Sequence, residues 1–166
     1  MARQVVKYQT TSVEAARSAQ QICDLARKYG ASRFEMRWDD RRRLEGVRFA
    51  VRHPEAGEVP VVLRAPEETI TRILWDARGP NSRKTRAEIA DQAHRIAWRH
   101  MKDLTEQLLL ATRLGLRTVE GAFMADIEVW DDETGETTTM AELFARRARL
   151  EPGQRSVRLL PAARRV

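Results

Sequence analysis

The stretch TRAEIADQAHRIAWRHMKDLTEQLLLATRL (residues 85–114) is the longest uninterrupted helical pattern in the chain. It contains no glycine or proline after Thr85, and Thr85 with Glu88 forms the capping box typical of a helix start. At 100° per residue, one arc collects apolar side chains, namely Ile89, Ala93, Ile96, Ala97, Met101, Leu104, Leu108, Ala111 and Leu114. Such a helix reaches about 40 Å. We therefore expect its far end to pack on the segment after Gly115 or on a second subunit.

The residues before this helix alternate in polarity, as strands with one buried face do. Three strands are predicted, over residues 34–38, 47–52 and 59–64, with charged or Pro/Gly-containing turns between them. Their expected inward side chains in the first two strands are Phe34, Met36, Trp38, Val47, Phe49 and Val51. This pattern predicts an antiparallel sheet whose other face carries arginines.

Shorter helices are predicted on both sides of the sheet. Thr11 and Glu14 indicate a capping box for a helix that ends at Gly30, and residues 67–78 predict another. Residues 3–9 alternate weakly and predict a short strand. After the long helix, residues 124–139 predict a β-hairpin, and 140–149 a last helix.

The predicted fold is α+β: a three-stranded antiparallel sheet with flanking helices (αβββα), one long helix, then a C-terminal β-hairpin and short helix. Residues 1–150 are expected to form a single domain, and residues 151–166 a basic flexible tail.

Charge is distributed unevenly along the chain, whose formal net charge is +6 and whose pI is about 10.2. Residues 1–120 carry a net charge of +7, and residues 121–145 carry seven acids and no basic residue. Residues 146–166 hold seven arginines and one glutamate. A basic body and tail attract phosphate, while the acidic segment between them is able to shield the same surface.

Composition narrows the class of protein. The apolar runs are far shorter than the roughly 20 residues that span a bilayer, so no membrane partner is expected. The N-terminus lacks the apolar stretch of a secretory signal, and the single cysteine, Cys23, cannot form an internal disulfide. Both features favour a cytoplasmic location.

Signatures of catalysis are missing from the sequence. Its three histidines show no zinc-ligand spacing, and no glycine-rich phosphate loop or nucleophile elbow occurs. Cys23 lies on an apolar helix stripe, which favours a core position over a nucleophile. We expect no enzyme, no cofactor and no metal. A hydrolase that uses the turn carboxylates Asp131, Asp132 and Glu133 is a distant alternative.

Three basic surfaces are the candidate nucleic-acid-binding sites. The first, Arg83, Lys84 and Arg86, adjoins a helix start, where backbone N–H groups and the helix dipole favour anions. A second group lies on the outward sheet face: Arg37, Arg48 and Arg52, with Arg64. The third is a strip on the long helix with one ring for base stacking: Arg95, Trp98, Arg99 and Lys102, with Arg113. The alternative for this strip is a solvated face with i,i+4 ion pairs.

Two segments resemble known families. GPNSRKTRA (residues 79–87) resembles the Gly-x-x-Ser-Lys-Lys opening of the second helix of double-stranded-RNA-binding domains, which implies that Arg83, Lys84 and Arg86 grip phosphates. Residues 67–78 add a helix that those domains lack. Residues 5–145, with AHRIAWRHMKDLTEQLLL and FMADIEVWDDETGETTTMAELF, resemble uncharacterised small phage and prophage proteins. The order of elements is also similar to that of single-strand-annealing recombination proteins.

These observations lead to two hypotheses. The first is a nucleic-acid-binding accessory protein, expected to bind single-stranded DNA largely independently of sequence in phage or mobile-element replication or recombination. The alternative is a protein-interaction or assembly module that forms a homo-oligomer through the long helix and Trp98.

Overall fold

The computed structural model describes residues 6–53, 55–79 and 82–148. The predicted α+β class is confirmed. The helices are α1 (Ala15–Lys28), α2 (Glu67–Asp76), α3 (Arg86–Arg113), α4 (Val119–Phe123) and α5 (Met140–Ala148), with a 3-10 turn at Met124–Asp126. The strands are β1 (Ser32–Trp38), β2 (Leu44–His53), β3 (Gly57–Leu63), β4 (Glu128–Asp131) and β5 (Glu136–Thr139). The predicted basic tail, residues 151–166, lies outside the described residues.

The sheet has the order β1-β2-β3, and both strand pairs are antiparallel. Alternation along β2 buries Val47, Phe49 and Val51 on the face that packs against α1. Trp38, which was predicted to point inward, is instead 48% exposed. The strand register shifts between Arg37 and Trp38, and such a bulge removes the last residue of a strand from the alternation.

The long helix α3 begins with the predicted capping box and packs in two different environments. Its first half joins α2 in one apolar cluster, through Ile89 and Ala93 against Ile70 and Leu74. Farther along, Trp98, Met101 and Leu109 enter the main core with α1 and the sheet, and Phe123 of α4 joins this core. The segment after Gly115 therefore packs on α3, which is one of the two expected arrangements.

The buried face of α3 does not follow the predicted arc to its end. Thr105 and Leu109 are buried, whereas Leu104 is 50% and Leu114 is 63% exposed. The apolar cluster between α2 and α3 ends at Ala97. Leu104 and Leu114, which continue the same line of side chains along α3, therefore have no α2 side chain to pack against. Burial there shifts to the side of α3 that contacts the main core.

The N-terminal predictions fail in two places. Residues 6–9 form turns rather than a strand, and the remaining residues of the predicted strand, 3–5, lie outside the described ranges. Glu14, not Thr11, is the N-cap of α1, and it makes no side-chain cap hydrogen bond. The Thr11 hydroxyl instead accepts from the N–H of Val13 at 3.2 Å in a local turn, a bond that competes with capping.

Cys23 is 2% exposed in the main core, as its apolar stripe predicts. Burial raises the pKa of its thiol, which keeps it protonated and unreactive. Among the described residues, no helix combines the length and apolarity that crossing a bilayer requires.

Candidate nucleic-acid interface

The sheet arginines share one face, but acidic side chains already hold most of them. The strand registers place Arg37, Arg48 and Arg52 on the face opposite the core. Glu128 of β4 reaches over this face: its carboxylate lies 2.7 Å from Nη2 of Arg48 and 3.5 Å from Nη1 of Arg37. Arg52 is exposed, and no residue in the described ranges forms an ion pair with it. The predicted phosphate surface is therefore largely neutralised within the molecule.

Two further contacts extend this neutralisation. Glu35 of β1 lies 3.3 Å from Arg37 and 3.8 Å from Arg48. Arg64, just after β3, pairs with Glu142 of α5 at 2.6 Å. The acids that occupy the sheet face thus come from the strand itself and from the acidic segment that follows α4.

Most of the basic strip on α3 is turned into the molecule, whereas Arg113 at its end is exposed. Arg99 donates to Oε1 of Gln21 on α1 at 2.8 Å, and its guanidinium stands 5.6 Å from the ring centre of Tyr8. Arg95 donates to Gln92 at 2.7 Å, and Lys102 to Glu106 at 2.5 Å. The i,i+4 pair of Lys102 with Glu106 fits the alternative of a salt-bridged helix surface, but the expected pair of Asp91 with Arg95 does not form, because Asp91 binds Arg43.

Trp98 is not available for base stacking, contrary to the prediction. Its side chain is completely buried, and its indole N–H donates to the backbone carbonyl of Leu44 at 3.3 Å. The buried surface of α3 is wider than the helical periodicity of its apolar residues indicates, because α1 and the sheet contact the side of α3 on which Trp98 lies. A ring in that position contributes to the core and not to a surface.

The loop before α3 keeps its cations free. Arg83, Lys84 and Arg86 are exposed, and none forms an ion pair with a described residue. The Thr85 hydroxyl accepts from the N–H of Glu88 at 3.2 Å, while the Glu88 carboxylate accepts from the N–H of Thr85 at 2.7 Å. Since Glu88 already satisfies this helix start, an incoming anion would bind mainly through the three side chains.

These hydrogen bonds also affect the ionisation of Glu88. The pKa of its carboxyl is lowered, first by the backbone N–H of Thr85 and then by the Thr85 hydroxyl, with a smaller attraction from Lys84. The carboxylate stays charged at the centre of the basic loop. It thereby fixes the backbone that presents Arg83, Lys84 and Arg86.

A groove of about 820 Å³ opens beside this loop, between the β1–β2 turn, α2 and the start of α3. Arg41 from the turn, Arg72 from α2 and Arg86 from α3 line it together. All three are exposed, and none forms an ion pair within the described ranges. Arg41 and Arg72 were not predicted from the sequence as site residues. The sequence gives little indication of this site, because three segments far apart in the chain must fold together before the arginines become neighbours.

The acids at the base of the groove have cationic partners. Glu67 lies 2.6 Å from Nδ1 of His94 and 3.3 Å from Nη2 of Arg43. Arg43 also binds Asp91 at 2.8 Å. Glu68 on the groove wall has no ion pair with a described residue. Asp39, which also lines the groove, is exposed and likewise has no ion pair with a described residue, so three free arginines face two free carboxylates.

Trp75 supplies an aromatic ring at this groove. It is half-buried against the α2–α3 cluster and contributes to the groove lining. The guanidinium carbon of Arg78 lies 3.2 Å from the centre of its ring, in a cation–π contact. An aromatic ring among exposed arginines is the combination that single-stranded nucleic acids use for stacking and phosphate contact.

The turn carboxylates have structural roles or face solvent. Asp131 is completely buried, binds the guanidinium of Arg146 and accepts from the N–H of Glu133 at 3.1 Å. Asp132 and Glu133 are exposed. Within the described residues, no group of three or more His, Cys, Asp or Glu side chains is arranged to hold a metal ion.

Comparisons of the chain with protein-family models, curated proteins and solved structures find no match.

Proposed function

We propose that this protein binds single-stranded nucleic acid, and single-stranded DNA in particular. The binding surface consists of exposed cations without ion pairs to described residues: Arg41, Arg72, Arg83, Lys84 and Arg86. The proposal rests on which basic side chains already have an acceptor within the molecule and which do not. These five exposed cations lack carboxylate partners among the described residues, while most basic side chains of the sheet and the α3 strip already have acceptors. Free cations contribute most to phosphate binding, because no internal acid must first be displaced.

Trp75 is the reason to favour a single strand. A base that is not held in a duplex is able to lie against this ring once it displaces the Arg78 guanidinium, and such a stacking contact is worth about 1–3 kcal/mol. Among the described residues, the outer sheet face offers arginines and no comparable ring in a groove, which suits backbone contact alone. Arginine and lysine contacts to phosphate carry no sequence information, so we expect little sequence preference.

The biological setting follows from resemblance. The likeness of residues 5–145 to small phage and prophage proteins supports a phage or mobile-element setting, and the similar order of elements in single-strand-annealing proteins supports a role in replication or recombination. In that setting, protection or delivery of single strands needs affinity for the backbone rather than for a particular sequence.

A salt titration with matched variants tests the proposal. Labelled oligodeoxythymidine is titrated with the full chain at several salt concentrations, and the slope of log K against log salt is expected near −0.7 per phosphate contact. Arg72→Gln with Arg86→Gln removes two free cations from the groove. Arg113→Gln with Arg117→Gln removes the same charge from exposed positions at the other end of α3.

The groove variant should lose roughly tenfold in affinity at low salt, and the control roughly twofold. Equal losses would mean that only net charge matters, and would contradict the assigned site. An absence of binding by the unaltered chain at low ionic strength would contradict the proposed function.

A second candidate function, assembly through α3, is favoured by the exposed leucines at its C-terminal end. Leu104 and Leu114 are 50% and 63% exposed, and Leu116 follows at 72%. Trp98 takes no part in such a seam, since it is buried. Light scattering of the full chain and of Leu104→Gln with Leu114→Gln distinguishes the candidates: a stable oligomer that this variant dissociates would support assembly, and a monomer at all concentrations would exclude it.

A further inference from the structure

The acid-rich segment that follows α4 is held against the sheet by ion pairs. We call residues 124–148 the acidic unit; it contains the turn after α4, the β4–β5 hairpin and α5, with seven acids and two arginines. Its Glu128 side chain is only 8% exposed and lies between Arg37 and Arg48. Glu142 in the same unit binds Arg64. Two carboxylates thus cover three arginines of the outer sheet face.

Hydrophobic burial on this face is more limited than in the core, although Val62, which is the register partner of Arg48, is 2% exposed. No residue of the acidic unit belongs to either buried apolar cluster formed by the described residues. The buried side chains of the unit are polar: Asp131, Thr138 and Thr139. Its backbone meets the sheet at an isolated antiparallel bridge between Ile127 and Val61 on the outer strand. Ion pairs and one bridge separate more easily than a packed core, and salt weakens ion pairs further.

The covered face is continuous with the proposed binding groove. Arg64 lines a depression of about 600 Å³ that shares Asp39, Arg43 and Glu67 with the larger groove. On the same sheet face, Arg52 is exposed and free of ion pairs with described residues. A nucleic-acid backbone that leaves the groove therefore meets Arg64, and a strand that approaches the sheet directly meets Arg52.

We infer that the outer sheet face is a second phosphodiester-binding surface, which the acidic unit covers until phosphates displace Glu128 and Glu142 from Arg37, Arg48 and Arg64. This inference rests on the proposed function for the identity of its ligand. The exchange conserves pairing at the contacts of the acidic unit, because each arginine passes from Glu128 or Glu142 to a phosphate and the released carboxylate becomes hydrated, while Glu35 of β1 keeps its contacts with Arg37 and Arg48. The apparent affinity of this face for nucleic acid is then its intrinsic affinity multiplied by the fraction of molecules in which the face is uncovered.

Two glutamines introduced into the acidic unit test this competition. Glu128→Gln removes the carboxylate between the arginines and keeps the side-chain size. Glu136→Gln makes the same change in net charge at the exposed first residue of β5, which has no ion pair with a described residue. In the full chain, labelled oligodeoxythymidine at low ionic strength should bind Glu128→Gln roughly fivefold more tightly than Glu136→Gln. Equal affinities of the two variants would overturn the inference.

Hydrogen exchange supplies a readout that does not depend on nucleic acid. Without ligand, the amides of β3 and β4 should exchange several-fold faster in Glu128→Gln than in Glu136→Gln, because the acidic unit is held less firmly. If the unaltered chain binds oligodeoxythymidine while exchange in β3 and β4 stays unchanged, the face is not uncovered and the inference is wrong. If the unaltered chain does not bind the oligonucleotide, the proposed function falls. Even in that case, equal hydrogen exchange in Glu128→Gln and Glu136→Gln would show that the Glu128 ion pairs do not hold the acidic unit against the sheet.

Discussion

The indole N–H of Trp98 donates to the carbonyl of Leu44 at 3.3 Å and fixes the middle of α3 to the first residue of β2. Both residues are almost completely buried. The bond satisfies the polar group of a large ring that the main core encloses on all sides. It thereby joins the long helix to the sheet on whose far side the acidic unit lies.

Replacement of Trp98 by phenylalanine should destabilise the fold by about 2 kcal/mol, because it removes this donor and leaves a small void. Trp130→Phe, at a ring that is 62% exposed, should change stability by less than about 0.5 kcal/mol. Urea unfolding measures both. Oligonucleotide affinity of folded Trp98→Phe should equal that of the unaltered chain. A selective loss of affinity with unchanged stability would restore the predicted stacking role.

Asp131 holds α5 against the β4–β5 hairpin through Arg146, so Asp131→Asn should loosen the acidic unit by about 1–2 kcal/mol. Asp132→Asn is the matched control, since Asp132 is its exposed neighbour. Hydrogen exchange of β4, β5 and α5 is the measurement, because the unit lies outside both apolar clusters and is expected to open locally. Equal exchange in the two variants would contradict the anchoring role.

The capping carboxyl of Glu88 should make stability pH-dependent. Its pKa in the folded protein lies below the ordinary value of 4.5, so its contribution is fully present above pH 4.5 and is lost as the pH falls through the lowered pKa. Glu88→Gln retains the reach of the side chain and removes the titration. The Tm difference between the unaltered chain and this variant should therefore shrink as the solution is acidified. A difference that stays constant across this interval would contradict the assignment.

Local rules predicted the elements well where one segment supplied its own signal. The capping box of Thr85 and Glu88 starts α3 in the structure as it does in the sequence, because both partners lie within one helical turn. The alternation of β2 likewise identified Val47, Phe49 and Val51 as inward side chains. At Thr11 the same capping pattern failed, since its hydroxyl satisfies a nearer N–H group.

The candidate site was less predictable, because it depends on partners far apart in sequence. The helical period placed Trp98 at the margin of the apolar arc, and only the packing of α1 and the sheet shows that its ring is enclosed. Arg37 and Arg48 were identified correctly as neighbours on one face, but their shared partner Glu128 lies about 80 or more residues away, across a contact that no periodicity encodes.

The sequence by itself determined the α+β class, the long helix and the separation of charge into basic and acidic segments, because propensity, capping and periodicity act over a few residues. Only the tertiary structure decided which cations remain free. Ion pairing depends on distances of a few ångströms between side chains, and folding brought Glu128 to the sheet arginines while it gathered Arg41, Arg72 and Arg86 in one groove.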